Sequence, residues 1–491
     1  MEFLSDYYAL LGIFREATKE EIKRAYFEAA QRVHPDKNEA PGETEIFLDV
    51  QKAYDILSNP KKRAEYDLSL APEEESSSPI LQRTFYSRQS LVRLNETQLI
   101  YALLEWKPRQ NKNEVISPPL NICLVLDNST SMKGENIGMV KASAIHLIRS
   151  LRPEDILSVV TFSDRAKVLI PSSLRPDHRK MENKIRVMHP SGGTEIFQGL
   201  QEGVAQVRKN FSAERVNHVI LLTDGQTYGD EKESLELAKE TADFGIGISG
   251  LGIGEDWNDE FLDELASRAG SSSSYIANPQ EIQKFLEEKF KQLAKVFAEN
   301  VELKFNASPN TELTYIYRVQ PNAAHLLSKK TIQLGMILRD KPLTLLLEFT
   351  VKSSAVIEDE VNLLVGSLSF EIPSQTLQSQ PMRVRVFREV TEKASLEPPS
   401  PTLVQALANL NLFRMQETAQ KEAADGKYNE ASRRLQHLAT HLLSHGERSM
   451  AKTVLLEAEN LQGEQSFSEE GRKKIKYGTR ALLLPAEKGK N

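Results

Sequence analysis

The stretch NICLVLDNSTS, Asn121 to Ser131, decides the reading of this chain. Pro118 and Pro119 precede it, a run of apolar residues follows, and a polar loop opens at Asp127. A short apolar run without alternation suits a strand covered on both faces, as in a parallel sheet. Further runs of this kind lie at Leu157 to Phe162 and His218 to Thr223, separated by helical periodicity over Val140 to Leu151 and Phe197 to Val207. Strands alternating with helices predict an α/β doubly wound parallel sheet, whose ligands sit at the carboxyl ends of the strands. Asp127 and Asp224 both fall at such ends.

The loop residues share one chemistry. Asp127, Ser129 and Ser131 form D-x-S-x-S, Thr194 follows a Gly-Gly pair, and Asp224 sits in Thr223-Asp224-Gly225. Carboxylates and hydroxyls are hard oxygen donors, and five of them with room for water suit an octahedral magnesium ion or another divalent cation. The alternative is that these side chains cap helices, with Thr194 as the N-cap of the helix through Val207. A calcium EF-hand is excluded, because its turn-glycine position holds Met132 and its bidentate-glutamate position holds Gly138. Gly245 to Gly250 spells G-x-G-x-x-G but follows a helical pattern and runs on as strand-like sequence, so a dinucleotide site is not expected. This region resembles a von Willebrand factor type A (vWA) domain with a complete metal-ion-dependent adhesion site. The resemblance implies that Asp127, Ser129, Ser131, Thr194 and Asp224 hold the metal, and that a carboxylate from a protein partner completes its shell.

Toward the N-terminus, Thr18 and Glu21 form a capping box ahead of Ile22, Ala25, Tyr26, Ala29 and Val33, an amphipathic helix whose other face carries Lys19, Lys23, Arg24 and Arg32. Phe47, Val50, Ala53, Tyr54 and Leu57 make the apolar face of a second helix, and Asn59-Pro60 supplies a cap with proline at the first helical position. His34, Pro35, Asp36 and Lys37 lie in the connection. Taken together, DYYALLGI, EEIKRAY, HPDKN and AYDILSNPKKRAEYD resemble an all-α J-domain of the DnaJ type over about residues 5 to 69. The resemblance implies that Lys23, Arg24, Arg32 and Lys37 dock on a DnaK-type heat-shock chaperone while His34, Pro35 and Asp36 trigger ATP hydrolysis in it. The chain itself is then not an enzyme, and it contains no P-loop. Phe27-Glu28-Ala29 departs from the family, which sets a second reading: a vWA and β-sandwich scaffold or regulator whose J-domain is a weak attachment site.

Two Pro- and Ser-containing stretches, 71–79 and 393–402, read as linkers. Alternating strands over 299–392, together with strands in 80–117, predict one antiparallel β-sandwich flanking the vWA domain at 118–298, since strands left with open edges would not be stable alone. This plan resembles bacterial proteins with a type A domain between strand-rich flanks, some labelled calcium-activated-channel-like. Residues 403–463 predict a helical hairpin turning at Gly426-Lys427-Tyr428, similar to the turn of a tetratricopeptide-type pair, and 464–491 is expected to be a mobile basic tail. His437, His441 and His445 recur four apart on one helix, but without a further ligand they read as solvated or capping residues. Residues 1–70 complete the division as the J-domain.

Composition sets the outer limits. The 491 residues predict several domains, and 40% apolar with 27% charged residues is ordinary for folded protein. A net charge of −7 argues against nucleic acid as a partner. A lone cysteine, Cys123, cannot form an internal disulfide, the N-terminus lacks the pattern of a secretory leader, and no apolar run approaches membrane-spanning length. A cytoplasmic location is the expectation. The function that follows is a co-chaperone that activates a DnaK-type chaperone and recruits a client, through an exposed Asp or Glu, to a metal-dependent vWA site.

Overall fold

The computed structural model describes the chain except for residues 1–6, 12–16, 18, 33–42, 70–77, 110–116, 175–176, 228, 309, 327–329, 358, 374–380, 396 and 484–491. Four helices open it: α1 (Tyr7–Leu11), α2 (Lys19–Arg32), α3 (Glu43–Leu57) and α4 (Pro60–Ser69). Ile22 and Ala29 of α2 and Val50, Ala53 and Leu57 of α3 are buried in one small core, and Tyr26 stacks on Tyr54 with ring centroids 4.2 Å apart. The side chain of Asn59 accepts the Lys61 N–H at 3.0 Å, the predicted cap for the helix that starts on Pro60. Tyr8 ties the first helix to the last, donating to Asp67 at 2.7 Å and accepting from Arg63 at 2.9 Å.

Three strands follow, β1 (Ile80–Tyr86), β2 (Leu91–Val92) and β3 (Gln98–Pro108). The chain then enters the α/β unit: β4 (Leu120–Asp127), α5 (Glu135–Ser150), β5 (Ile156–Phe162), β6 (Ala166–Ile170), α6 (His178–Arg186), α7 (Ile196–Lys209), β7 (Val216–Thr223), α8 (Glu231–Asp243), β8 (Gly247–Ile253), α9 (Asp259–Arg268), β9 (Ser273–Ile276) and α10 (Ile282–Leu293). Its sheet runs β6-β5-β4-β7-β8-β9, parallel throughout except for the hairpin edge strand β6. Every residue of β4, β5 and β7 is buried, because helices cover both faces; this is why those strands read as unbroken apolar runs. Gly247 to Ile253 is a strand of this sheet, as its sequence context predicts. Cys123 sits in the sheet's interior, and burial pushes its thiol up to about 12, so it packs as a small apolar side chain.

The remaining strands, β10 (Val296–Ala307), β11 (Thr311–Gln320), β12 (Ala324–His325), β13 (Thr331–Leu338), β14 (Leu343–Val351), β15 (Glu360–Glu371) and β16 (Met382–Thr391), complete two five-stranded sheets, β1-β3-β14-β11-β12 and β13-β10-β15-β16-β2. The strands on either side of the α/β unit therefore share one sandwich. β3 lies between β1 and β14, pairing with β14 from Gln98↔Val351 to Trp106↔Leu343. Arg318 of β11 is a rivet between sandwich and α/β unit. It is 1% exposed and donates to the carbonyls of Gly270 (3.2 Å), Ser271 (2.5 Å), Leu334 (2.8 Å) and Asn322 (2.9 Å), which satisfies a buried cation without a carboxylate.

Four helices close the chain, α11 (Pro401–Ala424), α12 (Tyr428–Ser444), α13 (Arg448–Gly463) and α14 (Glu469–Leu482). The hairpin turns at Gly426, whose φ of +78° is left-handed, as predicted. Leu403, Ala406, Leu410 and Phe413 of α11 pack on Phe85, Leu103, Tyr317 and Leu346 of one sandwich sheet. His445 ends α12, with its Nδ1 2.8 Å from the His441 carbonyl, which is a capping contact. The expectation of a mobile basic tail is corrected: residues 469–482 are helix, capped by the Ser468 side chain. Arg472, Lys476 and Arg480 face the α/β unit, where Asp259 and Asp263 receive them, Lys473 donates to the Trp257 carbonyl, and the Tyr477 ring lies 5.8 Å from that of Trp257; Lys474 pairs with Glu470 of its own helix.

Candidate metal centre

The carboxyl ends of β4 and β7 lie side by side, which brings their terminal aspartates to one edge of the sheet. Asp127 is fully buried. Its Oδ1 accepts the Ser129 N–H at 2.8 Å and its Oδ2 accepts the Thr223 hydroxyl at 2.7 Å. Ser129 Oγ stands 2.8 Å from Ser131 Oγ, and Ser131 donates to Asp224 Oδ1 at 2.6 Å. Asn136, one residue into α5, donates to Asp224 Oδ2 at 3.0 Å. Thus four of the five predicted ligands, from the first and third loops, form one hydrogen-bonded group.

Thr194 joins from the second loop. A Cβ added to Gly225 would lie 3.2 Å from Thr194 Oγ1, which places the threonine against the Asp224-Gly225 turn. The first and second loops are sewn together as well: the Thr130 N–H and hydroxyl both donate to the Gly192 carbonyl at 3.0 Å, and Ser191 N–H donates to the Asn128 carbonyl at 2.8 Å. Gly192 has φ +80°, a left-handed conformation that favours glycine, and a side chain there would have to displace the Asp164 carboxylate. Thr194 does not cap α7. The cap position is Glu195, and it makes no side-chain cap bond. Capping therefore does not account for the threonine.

Electrostatics favour a cation here. Burial pushes the Asp127 carboxyl up, the hydrogen bonds from Ser129 and Thr223 pull it down, and the neighbouring charge of Asp224 pushes it up again. Among the described residues, neither aspartate has a Lys or Arg ion pair. Two adjacent buried carboxylates without a compensating cation, surrounded by hydroxyls, fit a hard divalent ion. Among the described residues there is no group of three or more His, Cys, Asp and Glu placed to hold a metal ion, so the candidate donors at this edge are two carboxylates and the hydroxyls beside them. Thr223 and Asn136 were not singled out from the sequence. Thr223 stood in the Thr-Asp-Gly triplet as a signal, whereas Asn136 had none.

Of the residues expected from the sequence to dock on a chaperone, Lys23 and Arg24 lie exposed on α2. Arg32 ends that helix, but its side chain is outside the described residues, as are His34, Pro35, Asp36 and Lys37 altogether. Phe27 on the same helix is 53% exposed and Ala29 is buried. No helix among the described residues is long and apolar enough to cross a membrane.

Comparison with known proteins separates the chain into recognised parts. The DnaJ domain family matches residues 6–67, the von Willebrand factor type A domain family matches residues 121–292, and the Sll0103-like, C-terminal alpha-helical domain family matches residues 401–485. The uncharacterized protein sll0103 of Synechocystis is 29% identical over 75% of this chain and 89% of its own length. Protein YfbK of Escherichia coli is 26% identical over 52% of this chain and 45% of its own length. The chaperone protein DnaJ of a Synechococcus strain is 51% identical over 13% of this chain and 17% of its own length. Among solved structures, a von Willebrand factor type A protein from Catenulispora acidiphila superposes with a TM-score of 0.64 over 84% of this chain and 98% of that one, at 16% identity. The VWA2 paralog of ArnB from Sulfolobus acidocaldarius gives 0.50 over 83% of this chain and all of that one, at 17% identity. At such identities the likeness is one of fold.

Proposed function

From a chain that joins a DnaJ domain to a von Willebrand factor type A domain, we propose a cytoplasmic co-chaperone. Its J-domain stimulates ATP hydrolysis by a DnaK-type chaperone, and its vWA edge recruits the client. The observation that carries the second half is the pair of buried carboxylates, Asp127 and Asp224, linked through Ser129 and Ser131, with the Thr223 hydroxyl on Asp127 and no basic partner among the described residues.

Asp127, Ser129, Ser131, Thr194 and Asp224 would hold a magnesium ion or another divalent cation, and that ion would supply an electrophilic docking point for an Asp or Glu carboxylate of the client. The chain's own residues do the rest. The Thr223 hydroxyl and the Ser129 N–H orient the Asp127 carboxylate, and Asn136 orients that of Asp224. For the first half, the support is the HPD triplet His34-Pro35-Asp36, which follows in sequence a helix that exposes Lys23 and Arg24.

The test uses two variants on the full chain. His34→Gln is expected to abolish stimulation of single-turnover ATP hydrolysis by a DnaK-type chaperone while leaving metal-dependent client capture intact. Asp127→Ala or EDTA is expected to do the reverse. Equal stimulation by wild type and His34→Gln would refute the co-chaperone half. Client capture indifferent to EDTA and to Asp127→Ala would refute the adhesion half.

A further inference from the structure

Thr194 is the one candidate ligand without a hydrogen bond to the other four, so something else must hold it in place. The bonds on either side of it show what does. On the N-terminal side, the Gly193 N–H donates to Asp164 Oδ1 at 2.7 Å. On the C-terminal side, the Glu195 N–H donates to the Ser163 carbonyl at 2.9 Å, and the first N–H groups of α7 point at another loop: Ile196 N–H donates to Thr227 Oγ1 at 3.3 Å and Phe197 N–H to Asp230 Oδ2 at 2.8 Å, while the Thr227 hydroxyl donates to Asp230 Oδ1. Thr227 and Asp230 belong to the loop after β7 that begins with Asp224.

The position of Asp230 makes this arrangement specific. It stands at the N-cap of α8, where an aspartate ordinarily accepts an N–H from its own helix, yet it makes no side-chain cap bond there. Both its oxygens are used elsewhere, on Thr227 and on α7. Meanwhile Glu195, the N-cap of α7, gives α7 no cap and accepts from the Gln198 side-chain amide instead, at 2.6 Å. One helix has forgone its own cap so that a carboxylate can close the start of the other, where the helix dipole also favours a negative charge. The result is a strap between the loop bearing Asp224 and the segment bearing Thr194.

We infer that Asp230, acting with Thr227, is a positioning residue of the metal site: it sets Thr194 against Asp224, and metal affinity depends on it although it is not among the five ligands. This rests on the metal-site reading above. Removal of such outer hydrogen-bond partners typically weakens metal binding about 10–100-fold.

The test is titration of the full chain with Mn2+, followed by electron paramagnetic resonance of the free ion, with thermal unfolding in EDTA recorded for each variant. Asp230→Ala is expected to raise the Mn2+ dissociation constant about 10–100-fold. Asp230→Asn, whose amide oxygen still accepts the Phe197 N–H, is expected to restore most of that loss. Glu231→Ala, which alters the start of α8 but not the strap, is expected to leave the constant unchanged. Wild-type affinity in both Asp230 variants, or a loss in Glu231→Ala equal to that in Asp230→Ala, overturns the inference. If Asp230→Ala does not fold, Thr227→Val, which removes the hydroxyl that accepts the Ile196 N–H, decides, and unchanged affinity there overturns it. The wild-type titration is read first: absence of Mn2+ binding there overturns the metal-site reading, and the strap's role with it, before any variant is compared.

Discussion

Asp263→Ala should release the C-terminal helix from the vWA domain, and the structure sets the size of the effect. Asp263 receives Arg480 at 2.6 Å and Lys476 at 2.8 Å, and its Oδ1 also accepts the Tyr477 hydroxyl at 2.9 Å. The side chains of Arg480 and Lys476 are 13% and 12% exposed. Lys476 keeps Asp259 at 2.5 Å after the substitution, so the cost falls chiefly on Arg480, left as a buried charge without its carboxylate. Stranding one member of a buried pair costs about 3–5 kcal/mol. At about 1.4 kcal/mol per factor of ten, α14 should open roughly 10²-fold to several thousandfold more often. Burial pushes the Asp263 carboxyl up, but Arg480 and Lys476 outweigh it and hold it well below the usual carboxylate range, and Asp259 is likewise lowered against its burial by Lys476 and Arg472. Because the folded-state values are depressed, this stabilisation is complete above about pH 4 to 5 and is lost as pH falls further. Native-state amide exchange resolved to residues 469–482 is the suitable assay, since a chain of several domains need not unfold in one step. A second substitution, Arg480→Met, added to Asp263→Ala, should recover much of the loss by removing the stranded charge. If exchange in α14 rises less than about fivefold in Asp263→Ala, roughly 1 kcal/mol, the pairs are solvated contacts of little consequence and the account of the docked helix fails.

Further outcomes follow from the same packing. A fragment spanning Asn121 to Val390 lacks β1, β2 and β3 and so exposes the edge of β14; it should be poorly soluble, and a sharp melting transition with good yield would show that the strands before Pro118 are dispensable. Burial, with Arg318 nearby, lowers the Lys289 amine to about 7, while the unfolded chain takes up that proton below about pH 10. Stability should therefore rise with pH between about 7 and 10, and Lys289→Met should flatten that slope in denaturant midpoints measured across the window; an unchanged slope would show that the amine is not buried in solution. Asp164→Asn keeps an acceptor for the Gly193 N–H but loses the charge, so it should weaken Mn2+ binding less than Asp230→Ala does; a larger loss would move the main support of Thr194 to its N-terminal side.

Much of this protein was settled by local sequence. Strands β4, β5 and β7 announced themselves as unbroken apolar runs because a parallel sheet covered on both faces leaves no residue a reason to be polar. Asp127, Ser129, Ser131, Thr194 and Asp224 were legible as candidates because hard-oxygen chemistry restricts the residue types and each sits directly at or just beyond an element's end. The flanking strands were legible as one sandwich because neither set could close its edges alone. What only the tertiary structure decided has a common physical origin, in that the partner lies far away in the chain. Arg472, Lys476 and Arg480 carry no local mark distinguishing a solvated basic tail from a docked helix, since their carboxylates are more than 200 residues earlier. Asp230 has the sequence signature of an ordinary helix cap, and only the approach of two loops, 33 residues apart in the chain, turned its carboxylate to the other helix. Periodicity and residue chemistry act within a few turns of chain, whereas the pairing of charges and the sharing of caps depend on which surfaces the fold brings together.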